Sequence, residues 1–247
     1  QKLGDFAAAE TTYLEAIERN GPSRQLVQSL AELYTRWGRG DALEKLLARY
    51  EGNFRNEFWY HLSRNQLARQ QSNYAEALEA METAMKLADR EQKRRSQLLY
   101  AETLSDFGAY GKALQVLRAL PADETGTPAA RSLTARCLVG LGQRPEARQA
   151  FAGALEACEA VSESEAVFST MVRAYGAEQR AREVLDGIVA ETQEPGWILL
   201  AASGIQQVHA KQYDQAERIL AEARRKAPTP EDKARLDVAI GLAQQFA

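Results

Sequence analysis

The sequence predicts an all-α protein, an α-α superhelical solenoid of tandem helix–turn–helix repeats. Three observations predict this class. Alanine, the residue with the highest helix propensity, accounts for 43 of the 247 residues. Only seven prolines occur, so few helices are interrupted. A pattern of small, aromatic and alanine residues returns about every 34 residues, and a fixed period of roughly 20–50 residues is typical of helical repeat arrays.

The first helix of each repeat lies upstream of the aromatic residue of the pattern. The predicted first helices span 25–37, 57–71, 94–107, 129–141, 163–175 and 197–210. Glycine or another small or polar residue closes each of them. Six of the seven prolines lie between repeats, where a helix must stop. A short turn then leads into the second helix.

The second helix carries the strongest signal, because four of its positions recur in seven copies. The position we call the aromatic position holds Phe6, Gly40, Tyr74, Tyr110, Arg144, Glu178 and Tyr213. Three residues later stand Ala9, Leu43, Ala77, Ala113, Ala147, Ala181 and Ala216. A third position follows four residues after this one, and a fourth position three residues later still. Both hold an apolar or aromatic residue in all seven copies. Spacings of 3, 4 and 3 place all four positions on one helical face. We therefore expect Tyr74, Tyr110 and Tyr213 to pack between consecutive repeats.

This pattern resembles the tetratricopeptide repeat (TPR) family over nearly the whole chain. The small residue that the family carries on its first helix is matched by Ala31, Ala101, Ala135, Ser169 and Gly204, whereas Asn65 departs from it. Gly40, Arg144 and Glu178 also depart from the family, because they replace the aromatic residue.

The resemblance implies a single solenoid domain over residues 1–247. Its predicted parts are a half repeat, 1–22, the repeats 23–55, 56–91, 92–127, 128–161, 162–195 and 196–230, and a terminal helix, 231–247. Residues 1–3 are interpreted as the tail of a preceding first helix, so that the chain is expected to be a fragment of a longer array.

The resemblance also implies that the first helices line a concave groove that binds a protein or peptide. The residues expected to face a partner are Gln28, Glu32, Arg36, Trp59, Leu62, Gln66, Arg69, Arg95, Leu98, Glu102, Arg136, Arg173, Ile198 and Ile205. In this interpretation the arginines clamp acidic or polar groups of the partner. A competing interpretation is that the charged residues are ordinary solvated helix faces.

The helix 197–210 does not fit this frame well. The frame turns Ile198, Ile205 and Val208 towards the groove and places Ser203 and Gln207 in the core. One explanation is a one-residue shift in helix phase, which would bury the three apolar residues. The other keeps the frame and makes them an exposed apolar strip, a feature that usually marks a binding surface.

Composition excludes several other functions. The 31 basic and 34 acidic residues give a net charge of −3, which disfavours a nucleic-acid partner. No run of 18 apolar residues occurs, so we expect no membrane insertion. Two cysteines and two histidines are too few for a cysteine–histidine zinc site. No phosphate-binding loop or nucleophile elbow is present. We therefore predict no enzyme activity, no catalytic residues, no metal and no cofactor, and expect Cys137 and Cys158 to be unpaired.

The predicted function is that of a non-catalytic protein–protein interaction scaffold. A narrower alternative is a periplasmic TPR scaffold region of a bacterial exopolysaccharide secretion or outer-membrane export protein that recruits a modifying enzyme. Another is a cytoplasmic peptide-sensing regulator. The composition, rich in alanine and arginine, suggests a bacterial source, and a soluble cytoplasmic or periplasmic location is expected. Neither the partner nor the oligomeric state follows from the sequence.

Overall fold

The computed structural model describes residues 2–246, except for the side chains of residues 2–4 and 95. Within that range the chain forms fifteen helices and no strand, which confirms the all-α prediction. The helices are α1 (Lys2–Asn20), α2 (Arg24–Trp37), α3 (Gly40–Phe54), α4 (Phe58–Gln70), α5 (Tyr74–Leu87), α6 (Arg90–Asp106), α7 (Tyr110–Arg118), α8 (Ala122–Thr125), α9 (Pro128–Gly140), α10 (Arg144–Glu156), α11 (Val161–Tyr175), α12 (Glu178–Glu191), α13 (Trp197–His209), α14 (Tyr213–Lys226) and α15 (Pro230–Phe246).

The six predicted first helices are α2, α4, α6, α9, α11 and α13, and their bounds agree with the prediction to within four residues. The largest difference is at the start of α6. The Asp89 side chain accepts a hydrogen bond from the Gln92 backbone N–H, and the Gln92 side chain accepts one from the Asp89 backbone N–H. This capping box starts α6 at Arg90, four residues before the predicted start.

The second helices α3, α5, α7, α10, α12 and α14 each begin at the aromatic position itself. Two residues before it, the backbone has a positive φ in all six cases, at Gly38, Ser72, Gly108, Gly142, Gly176 and Lys211. Glycine adopts this conformation without steric cost. Ser72, at 56°, and Lys211, at 61°, adopt it at a cost of about 1–2 kcal/mol each.

Where the aromatic position holds a ring, that ring packs against the C-terminal end of the helix that follows. Ring centroids lie 5.8 Å apart for Phe6 and Trp37, 4.9 Å for Tyr74 and Phe107, and 5.9 Å for Tyr213 and Phe246. The fourth such junction has a ring on one side only, because a Cβ added to Gly140 would lie 2.3 Å from the Tyr110 ring. These contacts are the packing between consecutive repeats that the sequence predicts for the three tyrosines.

Tyr110 tests the importance of this junction. It is half-buried, so we expect Tyr110→Ala to lower the free energy of unfolding by about 2–3 kcal/mol, somewhat less than a fully buried aromatic residue would. Tyr110→Phe keeps the ring against Gly140 and should change stability by less than about 0.5 kcal/mol. Urea denaturation followed by circular dichroism measures both variants. Equal stability of the two variants would contradict the assigned packing.

The chain divides into two compact units, Gln1–Phe107 and Gly108–Ala247. In the first unit, the side chains of α2, α3 and α4 form a core around Leu30, Leu43 and Leu47. The second unit has one core around Phe151, built by helices from α9 to α13, and another around Leu220, built by α13, α14 and α15. The boundary between the units falls within the predicted repeat 92–127. The prediction of a single domain over residues 1–247 stays a prediction.

The two terminal helices differ in how well the sequence predicts them. Lys2 and Leu3 belong to the same continuous helix as Phe6 rather than to the tail of a separate helix, and Gln1 lies outside the described residues. The terminal helix α15 occupies nearly the predicted span. None of the helices described between residues 2 and 246 combines the length and the apolar character needed to cross a membrane.

Both cysteines are buried thiols and are not joined in a disulfide. Burial, together with the nearby negative charge of Glu163, raises the pKa of the Cys158 thiol to about 11. At pH 8 only about one Cys158 in a thousand is then the reactive thiolate.

The native protein should therefore react slowly with thiol reagents. We expect two thiols per chain to react rapidly with Ellman's reagent in guanidinium chloride, and both to react at least about 100-fold more slowly in the folded protein at pH 8. Raising the pH towards the Cys158 pKa should accelerate its reaction. Rapid labelling of Cys158 in the native protein at pH 8 would contradict its burial.

Candidate partner-binding surface

Eight of the residues that were predicted to face a partner lie on three consecutive first helices of the first unit. We call these eight residues the first-helix surface. They are Gln28, Glu32 and Arg36 on α2, Leu62, Gln66 and Arg69 on α4, and Leu98 and Glu102 on α6. Within each helix they are three or four residues apart, which places them on one face. Helix α4 packs against α2 and, through side-chain contacts, against α6.

Arg69 joins α4 to α6 at the C-terminal end of this surface. Its Nε donates a hydrogen bond to Asp106 Oδ2 at 2.9 Å, and its Nη2 donates to the same oxygen at 2.6 Å. Nη2 also lies 3.2 Å from Glu102 Oε1. Only 13% of the Arg69 side chain is exposed. The acidic groups that the arginine was predicted to take from a partner are therefore supplied by α6, because the two helices are close enough for a direct fork.

A second polar contact between α4 and α6 explains a departure from the family pattern. Asn65 is fully buried, and its Nδ2 donates hydrogen bonds to the Ala77 carbonyl oxygen at 2.9 Å and to Thr103 Oγ1 at 3.3 Å. The amide thus links α4 to both α5 and α6, which a small residue at this position could not do. The Arg64–Glu76 pair, with an N···O distance of 2.7 Å, adds another link between α4 and α5.

The rest of the first-helix surface is accessible to different degrees. Glu32 and Arg36 are exposed, and Gln28 Nε2 donates a hydrogen bond to Glu32 Oε1 at 3.2 Å. Leu62, Gln66 and Leu98 are half-buried. The surface therefore consists of polar groups with two partly exposed leucines among them. The side chain of Arg95, which was predicted to belong here, lies outside the described residues.

Trp59, another predicted contact residue, lies in the core of the first unit. Only 4% of its surface is exposed. Its ring centroid lies 5.3 Å from that of Phe54 and 6.1 Å from that of Tyr60. The prediction for Trp59 is therefore corrected: α3 and α4 enclose its ring, so it offers almost no surface to a partner.

In the second unit the predicted contact residues are scattered. Arg136 is half-buried, and Arg173 is exposed with its Nη2 donating to Thr170 Oγ1 at 3.3 Å. Ile198 is buried in the core around Phe151. Ile205 is half-buried against the core around Leu220. An exposed strip through Ile198 and Ile205 is thus not present, and these two predictions are corrected.

Helix α13 keeps the repeat frame, as one explanation requires, and also covers its apolar residues, as the other requires. Gly204 keeps the small-residue position, since a Cβ there would lie 2.6 Å from Leu220 Cγ. The apolar residues are nevertheless covered, because α13 has contacts with α10, α11, α12, α14 and α15. A helix packed on nearly all sides is apolar on nearly all sides. A shift of helix phase is therefore not needed to bury Ile198.

The polar residues in the core of α13 have a partner that the repeat pattern does not reveal. Ser203 Oγ donates a hydrogen bond to Asp186 Oδ1 at 3.0 Å. Gln207 Nε2 donates to Asp186 Oδ1 at 3.0 Å and to Oδ2 at 2.9 Å. The carboxylate of α12 thus satisfies two buried donors of α13, which makes their burial acceptable.

The two histidines lie in unrelated environments. His61 is buried, and its Nε2 donates a hydrogen bond to the Arg55 carbonyl oxygen at 2.7 Å. His209 is exposed at the end of α13. Among the side chains that the structure describes, no group of three or more histidine, cysteine, aspartate or glutamate residues is arranged to hold a metal ion.

Comparison with known families agrees with the geometry of the helix pairs. Residues 68–137 match the family model of the tetratricopeptide repeat. These residues carry the tetratricopeptide repeat pattern. The matched TPR segment runs from the end of α4 to the end of α9, and so includes four of the helices that the 34-residue period predicts. A comparison with curated proteins found no significant match.

One solved structure extends the likeness in fold to almost the whole chain. The crystal structure of a tetratricopeptide repeat protein from Parabacteroides merdae ATCC 43184 is similar with a TM-score of 0.57 and 15% sequence identity, over 98% of this chain and 94% of that one. Yeast Tom70 matches with a TM-score of 0.44 and 12% identity, over 97% of this chain and 59% of that one. The first of these similarities supports the TPR fold.

The second unit contains a cavity whose lining includes none of the predicted contact residues. It lies between α10 and α12, next to Arg144. The sequence does hold a signal for it, because Arg144 is a polar residue at the aromatic position, where most of the TPR copies place a ring.

Proposed function

We propose that the chain is a non-catalytic protein–protein interaction scaffold, and that it binds a protein or peptide on the first-helix surface of its first unit. Tetratricopeptide repeats commonly serve as such scaffolds. The proposal is supported by the placement of these side chains on three neighbouring helices, so that a partner spanning the helices would contact them together. A mixture of apolar and polar groups is compatible with a non-obligate interface, which is about as apolar as the rest of a protein surface.

The observation that carries this proposal is the fork between Arg69 and Asp106. It fixes α4 against α6, and with them the positions of Leu62 and Leu98, before a partner binds. A surface that is rigid in the free protein loses less conformational entropy on binding. The internal pairing of Arg69 thus supports a preorganised recognition surface, although it removes Arg69 itself as a clamp for an acidic group.

A crosslinking pull-down from the native source tests the proposal, with the protein as bait. A photo-crosslinking amino acid placed at Gln66 would capture the partner, and Leu62→Glu combined with Leu98→Glu should abolish its capture. The matched control is Leu87→Glu, since Leu87 is an exposed leucine, 41% accessible, on a second helix. Both proteins must unfold at the same urea concentration as the parent. Capture that survives the double variant would overturn the proposed surface.

Two narrower proposals concern the setting of the same scaffold. In the first, the chain is a periplasmic region of an exopolysaccharide secretion protein and recruits a modifying enzyme. In the second, it is part of a cytoplasmic peptide-sensing regulator. A signal peptide in the full-length gene would favour the first setting, and an attached DNA-binding helix–turn–helix domain would favour the second.

A further inference from the structure

The junction between α10 and α11 lacks the ring that marks four of the seven junctions between repeats. Phe6, Tyr74, Tyr110 and Tyr213 each pack against the end of the first helix that follows. At α10 this position holds Arg144, which is exposed. The end of the following helix, α11, still carries an aromatic residue, Tyr175. The Tyr175 ring packs against Phe151 of α10, with ring centroids 6.1 Å apart, but no ring stands at the aromatic position itself.

A cavity of about 830 Å³ occupies this place. Tyr175, Val184 and Ile188 provide apolar wall, and Arg144, Arg148 and Arg180 provide positive charge. The volume lies in the range of roughly 300–1,000 Å³ that is usual for ligand sites. Gly40 also stands at the aromatic position in place of a ring, and it shows that a missing ring alone does not create a cavity. At Gly40 the neighbouring helix approaches instead, and Leu67 Cδ1 lies 3.7 Å from where a Cβ would stand.

The arginines of the cavity are only partly neutralised. Arg148 Nη2 lies 2.9 Å from Glu191 Oε1, whereas Arg148 Nε is buried without a hydrogen-bond partner. Within the described part of the chain, no salt bridge engages Arg144 or Arg180, and both are exposed. Glu183 and Glu191 are the acidic lining residues, so three positive and two negative charges leave the lining with a net charge of +1.

The Arg148 guanidinium lies against the backbone of α12 at Gly187. A Cβ added to Gly187 would overlap Arg148 Nη2, so a side chain there would displace the end of the arginine. Burial raises the pKa of the Tyr175 phenol, while the charges of Arg144 and Arg148 act in the opposite direction. Two guanidinium groups and one aromatic ring therefore share the same small volume.

We propose that this cavity is a second binding site, which takes an aromatic side chain of a partner protein that has an acidic residue directly beside it. The ring would contact Tyr175, Val184 and Ile188 and complete the junction as Tyr74 does with Phe107. The carboxylate would pair with Arg144 or Arg180 at the rim. The expected ligand follows from the missing ring, since four of the other six junctions supply a ring from their own chain, and the arginines at the rim add a requirement for negative charge.

This site is independent of the proposed function of the first unit. It is formed by the second helices α10 and α12 and the end of α11, whereas the first-helix surface lies on α2, α4 and α6. Binding at one site can therefore be lost while binding at the other persists, and separate variants distinguish the two.

Fluorescence polarisation with three labelled heptapeptides and the full chain tests the inference. The probes are Gly-Ser-Asp-Tyr-Asp-Ser-Gly, a second peptide with alanine in place of tyrosine, and a third with asparagine in place of both aspartates. We expect the first to bind, and each of the other two to bind at least about 10-fold more weakly. Free 4-hydroxyphenylacetate serves as a competitor. Competition by this small acid as strong as by the unlabelled first peptide would overturn a protein partner in favour of a small-molecule ligand.

Arg144→Tyr is the decisive variant, because it restores the ring from within the chain. It should fold at least as stably as the parent and bind the first peptide at least about 10-fold more weakly. Arg225→Tyr, at an exposed arginine of α14, is the matched control and should bind normally. Arg180→Gln leaves the apolar wall of the cavity intact. It should weaken binding of the first peptide but leave binding of the third peptide, which has no aspartate, unchanged. Parental affinity in Arg144→Tyr, or no binding of the first peptide to the parent at 1 mM, would overturn the proposal.

Discussion

Gly204→Leu should lower the free energy of unfolding of the second unit by about 3 kcal/mol. The new Cβ alone would lie 2.6 Å from Leu220 Cγ and 2.8 Å from Leu220 Cδ2. Leu220 is fully buried, so it has no free space into which to move. Inserting carbon atoms into a packed core typically costs about 1–3 kcal/mol, and a whole leucine side chain is at the upper end. Urea denaturation monitored by circular dichroism measures the change.

Gly241→Leu is the matched control for this substitution. Gly241 also lies inside a helix, α15, but a Cβ added there has no atom within 4 Å. Both variants gain the helix propensity of leucine, worth about 0.8 kcal/mol in an exposed helix. Gly241→Leu should thus stabilise the protein slightly. If the two variants had equal stability, the close approach of α13 and α14 at Gly204 would be disproved.

Ile205→Asp is expected to destabilise the second unit by about 2–3 kcal/mol. Ile205 is half-buried and packs against the core around Leu220, where a carboxylate would lose hydration. The same substitution would have left folding unchanged if the residue belonged to an exposed binding strip. The expected loss of stability is therefore the signature of a packing role. Thermal and urea denaturation should agree on its sign.

Val238→Asp is the matched control for Ile205→Asp, because it also replaces a β-branched apolar residue of a helix with aspartate. Val238 is 68% exposed on α15, so an added carboxylate there remains hydrated. We expect its effect to stay within about 0.5 kcal/mol. Normal stability of Ile205→Asp, equal to that of Val238→Asp, would restore the binding-strip interpretation of α13.

Much of this fold can be predicted because each repeat has a simple local signal. The aromatic position coincides with the start of six of the seven helices that carry it, and the turn before each of these six has a residue with positive φ two residues earlier. Both features recur about every 34 residues, so the copies with weak signals, such as those at Gly40 and Glu178, can be placed from their neighbours. The helix bounds follow from this register to within four residues.

The environment of single side chains is harder to predict, since it depends on contacts distant in sequence. Helical periodicity separates an exposed face from a buried one, but α13 has neighbours on most sides and therefore no exposed face of the usual width. Asp186, which accepts hydrogen bonds from two residues of α13, is 17 residues before the nearer one. Arg69 lies on the same face of α4 as Leu62 and Gln66, but its guanidinium is hydrogen-bonded to Asp106, 37 residues along its own chain.

The six turns with positive φ also bear on the order in which the chain folds. Each helical hairpin forms contacts that are local in sequence, and local contacts form early. An unfolded glycine samples positive φ about as readily as negative φ, whereas serine and lysine seldom do so. Closure of the α4–α5 hairpin at Ser72 and of the α13–α14 hairpin at Lys211 is therefore a rarer event than closure at a glycine turn. Each unit contains one such hairpin, and we expect it to be the last of the hairpins of its unit to close.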